Sequence, residues 1–255
     1  MTGFARRWGD SGPEAVLLHC SLAHSGAWQG LARVLKDRMR LIAPDLVGHG
    51  KAPDLQPGED FLETAIASAR EFLPDGPVHL VGHSFGGLVA LRLAIEEGTR
   101  IETLTLCEPV IFAAAGNGPG RAATAERAAP VNDLVAAGDL EGAARVFLSL
   151  WGGMAFDEMP EAQRRYMAER MPLIVAEDNA LEHDSGRILP RLQQVTAPVL
   201  LIEGQESPPV VAEVNAALAA GFQRAERLVV PRAGHMVPLS HPGPVGQAIA
   251  AFVGV

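Results

Sequence analysis

The sequence predicts an α/β fold: a mostly parallel central sheet with helices on both faces, and an inserted helical lid. Three observations predict it. Short runs of consecutive apolar residues alternate with segments that are apolar at helical spacing, as expected when strands are covered on both sides by helices. The alternation breaks once, from about residue 111 to 187, where helical patterns continue without a strand-like run. No internal repeat or interdomain linker divides the chain, so residues 1–110 and 188–255 are read as the core, 111–187 as the lid, and the whole as a single overall domain.

The strand-like runs begin with Phe4–Trp8, placed as an antiparallel edge. Ala15–His19, Arg40–Ala43, Val78–Gly82, Thr103–Cys107, Pro198–Ile202 and Arg227–Val230 follow, each expected to be buried on both faces. Among the helices, Ser25 is positioned to cap one that carries Trp28, Leu31 and Leu35 on a single face. Asp60 and Glu63 form a capping-box pattern ahead of Phe61, Ala65, Ile66 and Phe72. Leu88, Leu91 and Ile95 follow the Gly86–Gly87 pair. Val210, Val214 and Leu218 lead to a stop at Gly221, and a last helix runs from His241–Pro242 to about Phe252. Such alternation implies right-handed crossovers. Within the lid, the Gly/Ala/Pro-rich stretch Ala113–Pro130 has no assigned element, and helices are expected over Asp139–Trp151, Pro160–Met171 and Pro172–His183. About 75 residues is too long for a structureless connection.

Composition narrows the function. At 48% hydrophobic and 20% charged residues the 255-residue chain is ordinary for a globular protein. Its net charge is −9, with no Lys/Arg run longer than two, which disfavours a nucleic-acid partner. Two cysteines, Cys20 and Cys107, are too few for a disulfide scaffold. They should end strands on either side of the Val78–Gly82 strand, too far apart to bridge. Met1–Asp10 holds Arg6–Arg7 with no apolar stretch behind it, and no window approaches the roughly 18 apolar residues of a membrane span. The expectation is a soluble, cytoplasmic protein. No His-Glu-x-x-His, paired-Cys motif, carboxylate cluster or phosphate-binding Gly-x-x-x-x-Gly-Lys occurs, so no metal or cofactor is expected and the partner is a small-molecule substrate.

Val78-His79-Leu80-Val81-Gly82-His83-Ser84-Phe85-Gly86-Gly87 carries the chemistry. A buried strand runs into Gly-x-Ser-x-Gly and then into a helix. A serine hydroxyl becomes a useful nucleophile only when it is exposed, held and served by a base. A sharp strand-to-helix turn exposes Ser84, and glycines at 82 and 86 leave room where side chains would collide. The helix that follows aims its N-terminal amides at the site.

Three further motifs follow the same order as in a known superfamily. These are Leu18-His19-Cys20-Ser21, Asp45-Leu46-Val47-Gly48-His49-Gly50 and Gly234-His235-Met236. With the Ser84 elbow, the chain from Val16 to Phe252 resembles the α/β-hydrolase superfamily, and the 111–187 region carries little of the resemblance. The resemblance implies a serine hydrolase with His235, in the loop after the last strand, as the base. It also implies an oxyanion hole built from the backbone N–H of Phe85 and a second donor at Ser21, where Cys20 replaces the family's glycine. His49 is expected to brace its turn. His83 should point away from the pocket, His241 sits at a helix start, His79 and His183 look structural, and His19 and His24 could border the site.

The superfamily usually supplies the orienting acid as Asp in a Gly-x-x-Asp pattern after the penultimate strand. Here Gly204-Gln205-Glu206-Ser207 places serine in that position. Two carboxylates can replace it. Glu108, at the end of the strand beside the nucleophile strand, is favoured because some members resemble this arrangement and take their acid from there. Glu206 is the alternative acid. The lid's Phe147, Trp151, Met154, Met159, Met167 and Met171 are expected mainly to pack the lid, and also to give an adaptable apolar wall. The function expected is hydrolysis of a small, moderately hydrophobic carboxylic ester or thioester through a serine acyl-enzyme. A C–C bond hydrolase, a lactonase and a cofactor-free perhydrolase fit the same site. A ligand-binding protein of this fold with little turnover is the alternative from another class.

Overall fold

A computed structural model describes residues 3–255; Met1 and Thr2, which open the Met1–Asp10 stretch considered above, lie outside it. Seven strands form one sheet: β1 (Ala5–Trp8), β2 (Glu14–Leu18), β3 (Arg40–Pro44), β4 (Val78–His83), β5 (Ile101–Cys107), β6 (Val199–Gly204) and β7 (Ala225–Val230). Their order is β1-β3-β2-β4-β5-β6-β7. β1 runs antiparallel to β3 and every other neighbouring pair is parallel. The predicted α/β fold is therefore found, including the antiparallel edge.

Helices α1 (Gln29–Leu35), α2 (Phe61–Arg70) and α3 (Phe85–Glu97) lie between the early strands. Between β5 and β6 come α4 (Pro119–Ala128), α5 (Pro130–Ala136), α6 (Leu140–Trp151), α7 (Glu161–Ala168) and α8 (Met171–His183), and among the described residues there is no strand in this stretch. α9 (Pro209–Gly221) follows β6, and α10 (Val237–Ser240) and α11 (Pro242–Val253) close the chain.

The central strands are buried at almost every position. One sheet face packs on α2, α3 and α9 through Ile66, Leu88, Leu91 and Val214. The other packs on α1 and α11 through Trp28, Leu31, Leu35 and Ile249. β7 departs from the expectation of burial on both faces: it is the sheet's outer edge, and Glu226, Arg227 and Val229 are exposed. A third cluster joins α5, α6 and α8 through Val131, Ala143, Ala144, Met171 and Ile174, and takes in Leu22 from the loop after β2.

Two local expectations need correction. The side-chain cap belongs to His24, whose Nδ1 accepts from the Gly26 N–H at 3.0 Å at the head of the 3₁₀ turn Ser25–Trp28, while α1 itself starts after Trp28 with no side-chain cap. Ser25 already lies inside a 3₁₀ turn, with its N–H held by Asp45 Oδ1 at 2.6 Å. Ala113–Pro130 contains α4 and the first residue of α5. Its prolines open helices, at a position whose N–H has no intrahelical partner to lose. Asp60 does cap α2 through the Glu63 N–H at 2.9 Å, while Glu63 itself turns to Arg92 at 3.0 Å and Phe72 lies beyond the helix. Among the described residues no helix is long and apolar enough to cross a membrane.

Candidate active site

Ser84 is the single residue between β4 and α3, at φ +53°. A non-glycine residue held there costs on the order of 1–2 kcal/mol, so the surroundings must impose it. They do so by close backbone contact. A Cβ on Gly82 would lie 2.3 Å from Gly86 O, and one on Gly86 would lie 2.2 Å from Leu18 O. The Ser84 N–H donates to Cys107 O at 3.0 Å, which pins the turn to β5.

The structure brings Ser84, His235 and Glu108 together. His235 Nε2 is 3.1 Å from Ser84 Oγ, and His235 Nδ1 is 2.8 Å from Glu108 Oε2. Glu108 stands one residue past β5, at φ +52° and fully buried, with its N–H donating to Ile202 O at 2.8 Å. Its second oxygen accepts from the Gly204 N–H at 2.5 Å and from Ser207 Oγ at 2.6 Å. Ser207, which occupies the place where a carboxylate was sought, thus serves as a donor to the carboxylate that arrives from β5. Glu206 is exposed, and its side chain makes no hydrogen bond among the described residues. With Glu108 accepting at Nδ1, that nitrogen carries the hydrogen and Nε2 presents its lone pair to the serine hydroxyl.

The loop that holds His235 is fastened twice. His83 Nε2–H donates to the His235 carbonyl at 2.9 Å, and the Glu206 N–H donates to Ala233 O at 2.8 Å. Trp151 of α6 lies against the ring, with centroids 4.8 Å apart. Among the remaining histidines, His79 bonds Thr103 Oγ1 at 2.9 Å and His241 bonds Ser240 Oγ at 2.9 Å.

His19 and His49 brace the neighbouring loops. His19 Nε2 accepts from the Leu46 N–H at 2.9 Å while Nδ1–H donates to Cys20 O at 2.8 Å. His49 Nε2 accepts from the Leu22 N–H at 3.1 Å while Nδ1–H donates to Val47 O at 2.9 Å. Each imidazole needs one bare nitrogen for this. Burial pushes His19 down to about 4, and His49 and His83 down to about 3. The unfolded chain therefore takes up protons on these rings below about pH 6.5, and the folded protein does so only near pH 3–4. Stability should fall with acid across that window, at up to about 1.4 kcal/mol per pH unit for each ring. Urea midpoints measured in steps between about pH 7 and about pH 4 will show the decline; a constant midpoint would contradict neutral braces.

Two cavities meet at Ser84. One is a chamber of about 240 Å³ among Val110, Phe112, Ala128, Val131, Ile174 and Leu181. The other is a groove of about 850 Å³ along Met154, Met159, Tyr166, Met167, Met236 and Leu239. Ser21, Ser84, Phe147 and Trp151 border both. Neither the Ser21 N–H nor the Phe85 N–H has a hydrogen-bond partner among the described residues. Ser21 Oγ lies 2.9 and 2.8 Å from the two carboxyl oxygens of Glu177 on α8. Burial pushes that carboxyl up to about 8, with the Ser21 bond opposing the rise and Asp178 adding to it. The sequence does hold one signal for Glu177: it shares a helical stripe with the buried Ile174 and Leu181.

Cys20 and Cys107 are free and buried, and burial pushes the Cys20 thiol up to about 12 and the Cys107 thiol up as well. Neither is poised as a thiolate. Among the described residues no three His, Cys, Asp or Glu side chains gather as a metal site.

Comparison with known proteins agrees with this architecture. The model of the Alpha/beta hydrolase family matches residues 15–248. A pimeloyl-[acyl-carrier protein] methyl ester esterase of Methylococcus capsulatus is 34% identical over 215 residues, covering 82% of each chain. Lipase LipV of Mycobacterium tuberculosis is 40% identical over 108 residues, which span 42% of this chain and 41% of that protein. The crystal structure of a hydrolase from Pseudomonas aeruginosa superposes with a TM-score of 0.77 at 22% identity, covering 98% of this chain and 94% of that one. These two relatives by sequence are named as ester hydrolases, and the chain belongs to the alpha/beta hydrolase family.

Proposed function

We propose that the protein is a serine hydrolase that cleaves small, moderately hydrophobic carboxylic esters or thioesters through an acyl-enzyme. The observation that carries this reading is the unbroken hydrogen-bond chain from Ser84 Oγ through His235 to Glu108. His235 Nε2 takes the hydroxyl proton as Ser84 Oγ attacks the carbonyl carbon, and returns it to the leaving alcohol or thiol. Water then repeats the sequence on the acyl-serine. Glu108, held by the Gly204 N–H and Ser207, keeps the tautomer and stabilises the imidazolium. The unpaired N–H groups of Phe85 and Ser21 receive the oxyanion.

The helices between β5 and β6 act as a lid. They supply the apolar chamber for one side of the ester and the methionine-rich groove for the other. The methyl ester in the relative's name is likewise a carboxylic ester, borne there on an acyl-carrier protein. A fluorophosphonate should form one covalent adduct, located at Ser84 by peptide mass, and Ser84→Ala should lose it together with hydrolysis of short p-nitrophenyl esters. A protein that folds but takes no label is not a serine hydrolase.

A further inference from the structure

Glu177 is a buried carboxyl on the chamber that Ser84 borders, and no step above uses it. It reaches from α8 across the chamber wall to the loop after β2, where its hydrogen bonds all come from Ser21 Oγ. It is 3% exposed. Two carboxyl oxygens offer about four acceptor sites, and among the described residues one hydroxyl hydrogen is all that serves them.

We propose that Glu177 is a positioning residue for the ester hydrolysis described above: as the neutral acid it ties α8 to the oxyanion loop, and its ionisation opposes the charge that develops on the substrate carbonyl oxygen. The inference rests on that reading, because it takes Ser21 as an oxyanion donor. Geometry gives both halves of it. The Ser21 side chain is held from the lid while its backbone N–H stays open. When Glu177 is neutral, its acid hydrogen can go to Ser21 Oγ, which leaves the Ser21 hydroxyl hydrogen free to turn toward the chamber. When it is ionised, the carboxylate captures that hydrogen and places a negative charge beside the site. Both changes work against an oxyanion.

The surroundings do not neutralise that charge. On α8, Asp178 is bonded by Asn132 of α5 at 2.7 Å and Glu182 is paired with Arg121 of α4 at 3.0 Å. On α2, Glu63 is drawn to Arg92 at 3.0 Å. α6 presents the uncharged Phe147 and Trp151, and the β2 loop presents the Cys20 thiol. Arg170, at the start of α8, lies over the Tyr166 ring at 3.6 Å. His235 is engaged with Glu108 and Ser84.

The test is the pH profile of kcat for a neutral short-chain p-nitrophenyl ester, corrected for spontaneous hydrolysis and measured well below the melting temperature. From about pH 7 to about pH 9.5 the unmodified protein should lose about tenfold in kcat. Glu177→Gln, which keeps a hydrogen-bonding amide, should change by less than about twofold over the same range. Glu177→Met, similar in length and never charged, serves if the amide variant does not fold, and should be equally flat. Ser21→Ala keeps the carboxyl and should keep the alkaline loss. An equal alkaline loss in a folded Gln or Met variant, or no loss in the unmodified protein, overturns the proposal. Fluorophosphonate labelling of Ser84 in the same samples separates the two failures: a labelled enzyme with unaltered pH profiles leaves the serine mechanism standing, whereas an unlabelled one removes both.

Discussion

Glu108→Gln should lower kcat by about 10⁴-fold while leaving the fold and ester binding nearly intact. The amide fits the same space and can still meet the Gly204 N–H through its oxygen, so the loss is chemical. A carboxylate at Oε2 requires the hydrogen of His235 on Nδ1. An amide NH₂ turned toward Nδ1 instead donates, forces the hydrogen onto Nε2, and leaves no lone pair to take the Ser84 proton. It also removes the charge that stabilises the imidazolium. Glu206→Gln is the control, because that side chain is exposed and unbonded, and it should stay within about twofold of the parent. Steady-state hydrolysis of a short p-nitrophenyl ester checks both. A Glu108→Gln enzyme that retains most of its turnover, or a Glu206→Gln enzyme that loses it, would show that the acid lies elsewhere.

The largest structural effect should come from Gly86→Ala. One added methyl is ordinarily a small change, and alanine is the better helix former. Here the new Cβ would stand 2.2 Å from Leu18 O and 2.5 Å from His19 O. Both neighbours are backbone atoms at the end of β2, so no side chain can rotate away. Relief requires α3 and β2 to separate, which disturbs the sheet-to-helix packing beneath Ser84 and the loop that bears Ser21. The expected loss is about 3–5 kcal/mol, at or above the upper range for overpacking, measured as a drop in urea midpoint. Any folded fraction should also hydrolyse esters poorly. Gly58→Ala, at φ +84° with no atom within 4 Å of its added Cβ, isolates the backbone cost and should lose less.

Much of this was legible in the sequence, for identifiable reasons. Largely apolar, nearly charge-free runs mark β2, β4, β5 and β6 because central parallel strands have no solvent face. Gly82 and Gly86 mark the elbow because only hydrogen fits between those backbones. The place of Glu108 near His235 was legible because the residue that follows a strand lies where a sheet presents its carboxyl edge, and β5 was expected next to β4. Ser207 was legible as a missing charge, but its hydroxyl donation depends on how β6 and β5 end relative to one another. α4 and α5 were missed because Pro119 and Pro130 read as breakers, whereas they stand at helix starts. Glu177 was missed because α8 carries several carboxylates, and only the packing of Ile174 and Leu181 picks out the one turned inward.

Trp151 gives the molecule a property apart from its chemistry. Its indole packs against the His235 ring, while Trp28, another of the three tryptophans, is buried between α1 and the sheet. The protein therefore carries an intrinsic optical probe beside Ser84 and His235: the emission of one tryptophan should follow the distance of α6 from that ring, in real time and without an added dye.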